Sequence, residues 1–391
     1  MEESKSKVNK SIYKVSKFFM ISVGLWKLPL AENSALQKFY DVYSTLVQGI
    51  YITYNVSLII KGAQISFNHT DSQNVFGVAS LAALIAEINF KIIVLIRNKV
   101  PHLFKHIINQ EDKIRNSATD QDIVDSYKGQ CRFYELTTRC QIITTVTSVY
   151  FYIVFNVYKK ITDKLAPGEN FMYELWFPFD VDGNGTVMMV CKLVLSQVGL
   201  LFNCGSQVIM QSLMVFISSN LHILQIRLRK MFSVAETNVT QHLSKLIEDH
   251  QFIIGFVEDL NNSINSIILL EFLLDSVNLA AALLQIITAQ SIIEITFSLV
   301  YFVLLLSQLF ILAWSANEIY TQSFNVSNAI YESNWMDQSE PIKKTMLIML
   351  MRAQKPLALT IGPFRPMNME AGLMTVKGAY TYAGVMRQKY T

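Results

Sequence analysis

The chain has 391 residues, 51% of them hydrophobic and 12% aromatic, and its mean hydropathy is positive. That is too apolar for an ordinary soluble domain. A net charge of only +3 leaves no electrostatic footprint for nucleic acid, and no such partner is expected.

Residues 1–17 are rich in lysine and lack a continuous apolar core, so no cleavable signal peptide is expected. Val8, Ile12, Val15 and Phe19 fall on one helical face, with Lys7, Lys10, Lys14 and Lys17 elsewhere. This pattern suits an interfacial helix on an anionic leaflet, which makes membrane lipid one expected partner. Seven apolar stretches follow: about 42–61, 75–96, 136–158, Val187 to Ser218, 266–289, 292–314, and roughly 368–388. Apart from the longer fourth, each is near the ~20 residues a spanning helix needs. Only Gln290 and Ser291 separate the fifth from the sixth, which predicts a tight turn. The expected fold class is therefore an all-α membrane protein with seven transmembrane helices.

Lys and Arg concentrate in the N-terminus and in the loops 97–132, 219–265 and 315–367. The 62–74 loop and the fifth-to-sixth turn have none, and 159–186 has three. By the positive-inside rule the N-terminus is cytoplasmic and, with seven spans, the C-terminus is extracellular. That is the reverse of a G-protein-coupled receptor. The expected organisation is a cytoplasmic amphipathic segment 1–38, six spans with cytoplasmic extensions over 39–315, a cytoplasmic anchor segment 316–367, and a seventh helix and C-terminus over 368–391. Val239 to Phe256 and Asn317 to Tyr331 carry helical periodicity with interleaved charges, and Ile342 to Ala353 reads as a basic amphipathic helix ending before Pro356. Pro356, Gly362, Pro363 and Pro366 then break any helix.

The final helix is rich in small residues (Ala371, Gly372, Gly378, Ala379, Ala383, Gly384), which invite close packing by neighbours. Glu370, Met374, Lys377, Thr381, Val385 and Gln388 form one polar-flecked stripe at i+3/i+4 spacing. A central position among the other helices is expected, and two readings of the stripe stand: satisfied polar groups in a bundle, or the wall of a water-filled path.

Intramembrane charges are expensive and point to a role. Glu87 and Lys91 are four apart and can pair along one helix face. Glu271 and Asp275 share a face of the fifth span, fit for a bundle interior or a cation path, and Lys192 lies in the outer half of the fourth. Asp180 to Thr186 imitates the start of a calcium loop, but Cys191 stands where a bidentate Glu belongs, and no metal is expected. The four cysteines (Cys131, Cys140, Cys191, Cys204) suggest neither a disulfide framework nor a zinc site. Sequons at Asn68 and Asn184 fall outside and those at Asn238 and Asn325 inside, so they mark no topology. There is no P-loop, H-E-x-x-H, G-x-S-x-G or dinucleotide turn, and neither catalysis nor a cofactor is expected. Side chains in the outer halves of four spans would line one apolar cavity, or simply pack: Val78 and Leu81, then Ser148, Phe151 and Phe155, then Met189 and Leu193, then Phe297, Val300 and Tyr301. Such a cavity selects by shape and dispersion.

Thr381-Tyr382, five further residues and Gln388 resemble the C-terminal signature of the insect chemoreceptor superfamily. Arg352-Ala353-Gln354-Lys355-Pro356, Gly362-Pro363-Phe364 and Trp176-Phe177-Pro178-Phe179-Asp180 resemble its odorant-receptor branch, with departures at Arg387 and Lys389. The resemblance implies an odorant-binding subunit of a ligand-gated, non-selective cation channel. It would sit in the plasma membrane of a sensory-neuron dendrite and form a heterotetramer with odorant co-receptor subunits through the cytoplasmic anchor. It further implies that a small volatile organic ligand enters the outer cavity, that Val385 is the apolar gate and Gln388 the outer polar ring, and that Thr381 lies one turn deeper. Two alternatives accompany this reading. A gustatory-type receptor shares the C-terminal signature but not R-A-Q-K-P. A secondary transporter would use Glu271 and Asp275, without the repeated halves common in that class.

Overall fold

The computed structural model describes residues 12–26, 34–67, 72–117, 120–161, 173, 175–177, 185–232, 239–289 and 291–390; for 13, 34, 66, 72–80, 114–117, 159, 185, 288 and 386–390 it describes the backbone alone. Ten helices account for nearly all of it: α1 Ile12–Ser22, α2 Ser34–Phe67, α3 Ser72–Arg97, α4 Val100–Ser117, α5 Gln121–Ile161, α6 Gly185–Lys230, α7 Val239–Thr288, α8 Ile292–Glu332, α9 Glu340–Ala353 and α10 Met369–Tyr390. The seven predicted spans fall on α2, α3, α5, α6, α7, α8 and α10. Four of these (α5 to α8) are long and apolar enough by themselves to cross a membrane. All four run well beyond a span, since 41 to 50 residues at ~1.5 Å each exceed a ~30 Å hydrocarbon layer about twofold. The predicted periodic segments 239–256 and 317–331 are continuous with α7 and α8.

The central element is α6, which packs on α1, α3, α5, α7 and α8. Every residue from Cys204 to Leu221 is buried. The reason is local: Val208, Ile209, Met210, Leu213, Met214, Val215, Phe216 and Ile217 clothe the helix all round, and such a helix must be enclosed. Its polar residues are spent on neighbours. Gln225 donates to the carbonyl and side chain of Gln322 at 2.9 and 3.0 Å, Gln308 donates to Asn203 at 2.8 Å, and Gln211 donates to the Thr137 hydroxyl. The expected central place of the last helix is thus taken, within one chain, by α6; α10 lies at the edge against α7 and α8.

The α6 C-terminus gathers Arg227, Arg229 and Lys230 in its last turn, where cations complement the helix dipole. Each ties a different element: Arg227 to Asp249 of α7 at 2.8 Å, Arg229 to Glu332 of α8 at 2.6 Å, and Lys230 to Asp120 before α5 at 2.8 Å, with Asp122 also in contact. Helix α1 seats Ile12, Ser16, Phe19 and Met20 in protein, chiefly against α6. The apolar face read as interfacial is therefore occupied, while Phe18 and Lys14 point outward. Helix α4, not expected from the sequence, starts at a proline-bearing first turn that pre-sets the helical φ.

Between α9 and α10 the chain makes a two-stranded hairpin, Thr360–Ile361 with Arg365–Pro366. It is pinned to α7: the Thr360 N–H donates to Asn261 Oδ1 at 2.8 Å and the Gly362 N–H to the Asn265 carbonyl at 3.1 Å. Gly362 has φ +53°, and a Cβ there would approach Leu269 Cδ2 to 2.9 Å. Asn368 then caps α10 by accepting from the Ala371 N–H at 2.9 Å. Gly362→Ala is expected to destabilise the protein by about 1–2 kcal/mol, read as a lower thermal midpoint of the detergent-solubilised chain; an unchanged midpoint would show that the turn tolerates a side chain.

His250 of α7 is buried, below the predicted span. Burial first, and then the Arg352 guanidinium, hold its imidazole down at about 4. A lowered folded-state value means that the neutral form folds better. Its contribution is complete above the ordinary value near 6.5 and is lost as pH falls through about 4. The thermal midpoint should therefore drop between these values, and His250→Leu should flatten that part of the profile.

Candidate functional site

Helix α10 has two unlike faces. Ala371, Thr375, Ala379 and Ala383 are four apart and buried, and Gly372 lies against Ala313 and Phe310 of α8, where a Cβ would sit 3.5 Å from the Ala313 Cβ. With no hydrophobic force between helices in lipid, small residues permit the close approach from which dispersion gains. The opposite face carries the predicted stripe. Glu370, Met374, Lys377, Thr381 and Val385 are all exposed, Val385 at 63%. The backbone of Gln388 continues the same row, and its side chain lies outside the described residues. The polar row is therefore not consumed by the chain's own bundle. Of its polar groups, the Thr381 hydroxyl donates to the Lys377 carbonyl at 3.0 Å.

The second candidate region lies at the end of the bundle where α7 turns into α8. Ser291 caps α8 there by accepting from the Glu294 N–H at 3.2 Å, while Gln290, the other residue of the expected tight turn, lies outside the described residues. Chain direction brings the start of α3, the end of α5, and the starts of α6 and α8 to this one end. Phe297 of α8 stacks on Phe155 of α5 (centroids 6.2 Å apart, planes 12° apart) and touches Tyr152 at 5.3 Å. Leu81, Met189, Leu193 and Tyr301 are partly buried and pack against the main apolar core. Ser148 is buried, and Phe151 and Val300 are half-buried. The side chain of Val78 lies outside the described residues. So do Pro178 to Asn184, which include most of the calcium-like loop.

A neighbouring aromatic row was not visible in the sequence. Tyr51 of α2 stacks on Phe202 of α6 (4.1 Å, 17°), Tyr54 meets Tyr173 of the α5–α6 connection at 5.8 Å, and the Lys192 ammonium lies 5.9 Å from the Tyr173 ring. The Tyr173 hydroxyl donates to the Lys192 carbonyl at 2.9 Å. Lys192 is thus enclosed, its charge facing an aromatic ring. The only sequence signal was the density of tyrosines in α2; their partners come from distant segments.

The intramembrane charges converge in the interior. Lys91 contacts Glu87 Oε1 at 2.9 Å, the expected i,i+4 pair, and also Glu271 Oε1 of α7 at 2.9 Å. Gln207 of α6 donates to the same Glu271 oxygen at 2.7 Å. Lys91, Glu87 and Glu271 are each at most 3% exposed, and Asp275, one turn further along α7, is 5% exposed. Of the two readings of the α7 acids, the bundle interior is the one observed. Removing one partner of a buried pair strands the other charge. Lys91→Met should cost about 3–5 kcal/mol, visible as loss of monodisperse protein on size exclusion, and adding Glu271→Gln should restore part of it.

The family model described as 7tm Odorant receptor matches residues 75–380. Odorant receptor 10 of Aedes albopictus is 33% identical over 153 residues, covering 39% of this chain and 41% of that protein. Odorant receptor 30a of Drosophila melanogaster is 32% identical over 168 residues, covering 43% and 45%. The aligned parts thus span less than half the length of these relatives. In structure, the olfactory receptor OR5 from Machilis hrabei, in complex with eugenol, superposes with a TM-score of 0.82 at 18% identity, over 96% of this chain and 97% of that one.

Proposed function

The chain belongs to the insect odorant-receptor family, and on that premise we propose that it is the odorant-binding subunit of a ligand-gated, non-selective cation channel. The observation that carries this reading is the division of α10. A row of polar and apolar side chains is exposed along one face of a membrane helix whose small residues Ala371, Thr375, Ala379 and Ala383 are packed, with Leu373, Tyr380 and Tyr382 exposed as well. Lipid is a poor solvent for Glu370, Lys377 and Thr381, and a shared aqueous path among subunits is a good one. In that path Val385 forms the apolar constriction, Gln388 the outer ring and Thr381 the turn below.

The partners are odorant co-receptor subunits in a heterotetramer. Support comes from the exposed apolar row Leu347, Ile348 and Met351 on α9, beside exposed Tyr331 and Met336. These lie in segment 316–367, read as a cytoplasmic anchor, with the N-terminus on the same side and the C-terminus outside. The setting is the plasma membrane of a sensory-neuron dendrite. The ligand is a small apolar volatile, aromatic by preference, held among Phe155, Phe297 and their neighbours; eugenol in the Machilis receptor is of that class. Differential affinity for the open arrangement shifts the equilibrium. Membership of the odorant-receptor family displaces the gustatory alternative.

Whole-cell recording under a panel of volatiles is the direct test. Current is expected when the chain is expressed with the co-receptor and not when it is expressed alone; robust current from the chain alone would make it self-sufficient. Within the pair, Val385→Lys places a cation in the path. At ~4 Å in a water-like medium this costs about 1 kcal/mol, so inward current should fall roughly fivefold. Gln388→Ala should change ion selectivity without moving the half-maximal odorant concentration. Phe297→Ala should do the opposite, raising that concentration by the ~0.5–1.5 kcal/mol of lost aromatic contact, roughly two- to tenfold.

A further inference from the structure

Three acids and one base share the interior between α3 and α7. Glu87, Glu271, Asp275 and Lys91 are all more than nine-tenths buried, and equally buried polar groups beside them are Tyr51 from α2, Gln207 from α6 and Asn278, three residues past Asp275 on the same face of α7. Three carboxylates against one ammonium leave two negative charges if all ionise. A low-dielectric interior does not hold such an excess.

Hydrogens are also short. Glu87 Oε2, Glu271 Oε2, Asp275 Oδ2 and Gln207 Oε1 are buried acceptors with no donor. The Gln207 amide nitrogen is aimed at Glu271, so its unmatched oxygen belongs to the same site. The Tyr51 hydroxyl can supply one hydrogen and the Asn278 amide nitrogen two, three in all for four unmatched oxygens. Lys91 is committed to Glu87 and Glu271. Among the described residues Asp275 has neither an ion pair nor a side-chain hydrogen bond, and it sits four residues after Glu271, one turn along the same face.

We propose that this cluster is a hydrogen-ion site, in which one proton taken from solvent is held between Asp275 and Glu271. Asp275 carries it as an O–H and donates to the unmatched Glu271 oxygen. One O–H bond forms, one negative charge disappears, and two orphaned acceptors become a donor and an acceptor. A sodium ion would also offset charge, but it needs several oxygens converging on one point, and the described acidic, histidine and cysteine side chains form no group of three able to hold a metal. The site depends on no assumption about the odorant.

Infrared spectroscopy of the full chain in lipid nanodiscs at neutral pH tests this. The carbonyl stretch of a protonated carboxyl is expected. It should shift down in deuterium oxide and again when aspartate carboxyls carry carbon-13, and it should vanish in Asp275→Asn. Asparagine keeps a neutral side chain with an N–H donor, so the variant should keep the wild-type thermal midpoint. The labelling arm needs no variant and stands if Asp275→Asn does not fold. A spectrum without a band, a band that moves only with labelled glutamate, or one that survives in Asp275→Asn would overturn the proposal. A band abolished by sodium chloride at fixed pH would overturn it in favour of a metal cation.

Discussion

Hydrocarbon gives apolar side chains no reason to prefer each other over lipid, so packing within this bundle depends on close backbone approach and on polar groups with nowhere else to go. One or the other device marks three of its contacts. The α6–α8 contact is held by paired amides, Gln225 with Gln322 and Gln308 with Asn203, and the α3–α7 contact by Lys91 between two carboxylates. The α8–α10 contact uses Gly372 against Ala313. Each polar pair fixes a register, because sliding a helix by one residue would strand its partner in a medium that supplies no substitute.

This arrangement separates two kinds of surface. Helix α6 spends its polar residues inward and is enclosed by the chain itself. Helix α10 spends its small residues inward and leaves its polar ones outward, so its environment is completed only by other molecules. The same holds on α9, where Met346 and Met349 are buried while Leu347, Ile348 and Met351 are exposed. Both faces are left for other molecules, lipid included, to cover.

Hydropathy made the spans legible, because a long apolar run has few other uses, and the i,i+4 rule located the Glu87–Lys91 pair. It could not supply Glu271, a residue 180 positions away from Lys91 that joins only through tertiary packing. Helix α4 escaped because its polar residues mask an amphipathic pattern in a loop already explained by its charge. The hairpin escaped because two residues per strand carry no periodicity. The central helix was misplaced for an instructive reason. Small residues were read as a sign of the middle, whereas the informative feature was the apolar cover of Val208 to Ile217, broken only by Gln211 and Ser212. The α10 stripe itself was readable, since it depends only on spacing along one helix.

The pinned hairpin before α10 has a mechanical corollary. With Thr360 and Gly362 bonded to α7 and Asn368 capping the first turn, the near end of α10 is a fulcrum. The helix beyond it is a lever of 22 residues, about 33 Å at ~1.5 Å per residue. A tilt of roughly 5° at the fulcrum sweeps the far end through about 3 Å, the width of a water molecule, and Val385 through about 2 Å, by the same helical rise. Its smooth alanine face offers no interlocking knob to resist that swing.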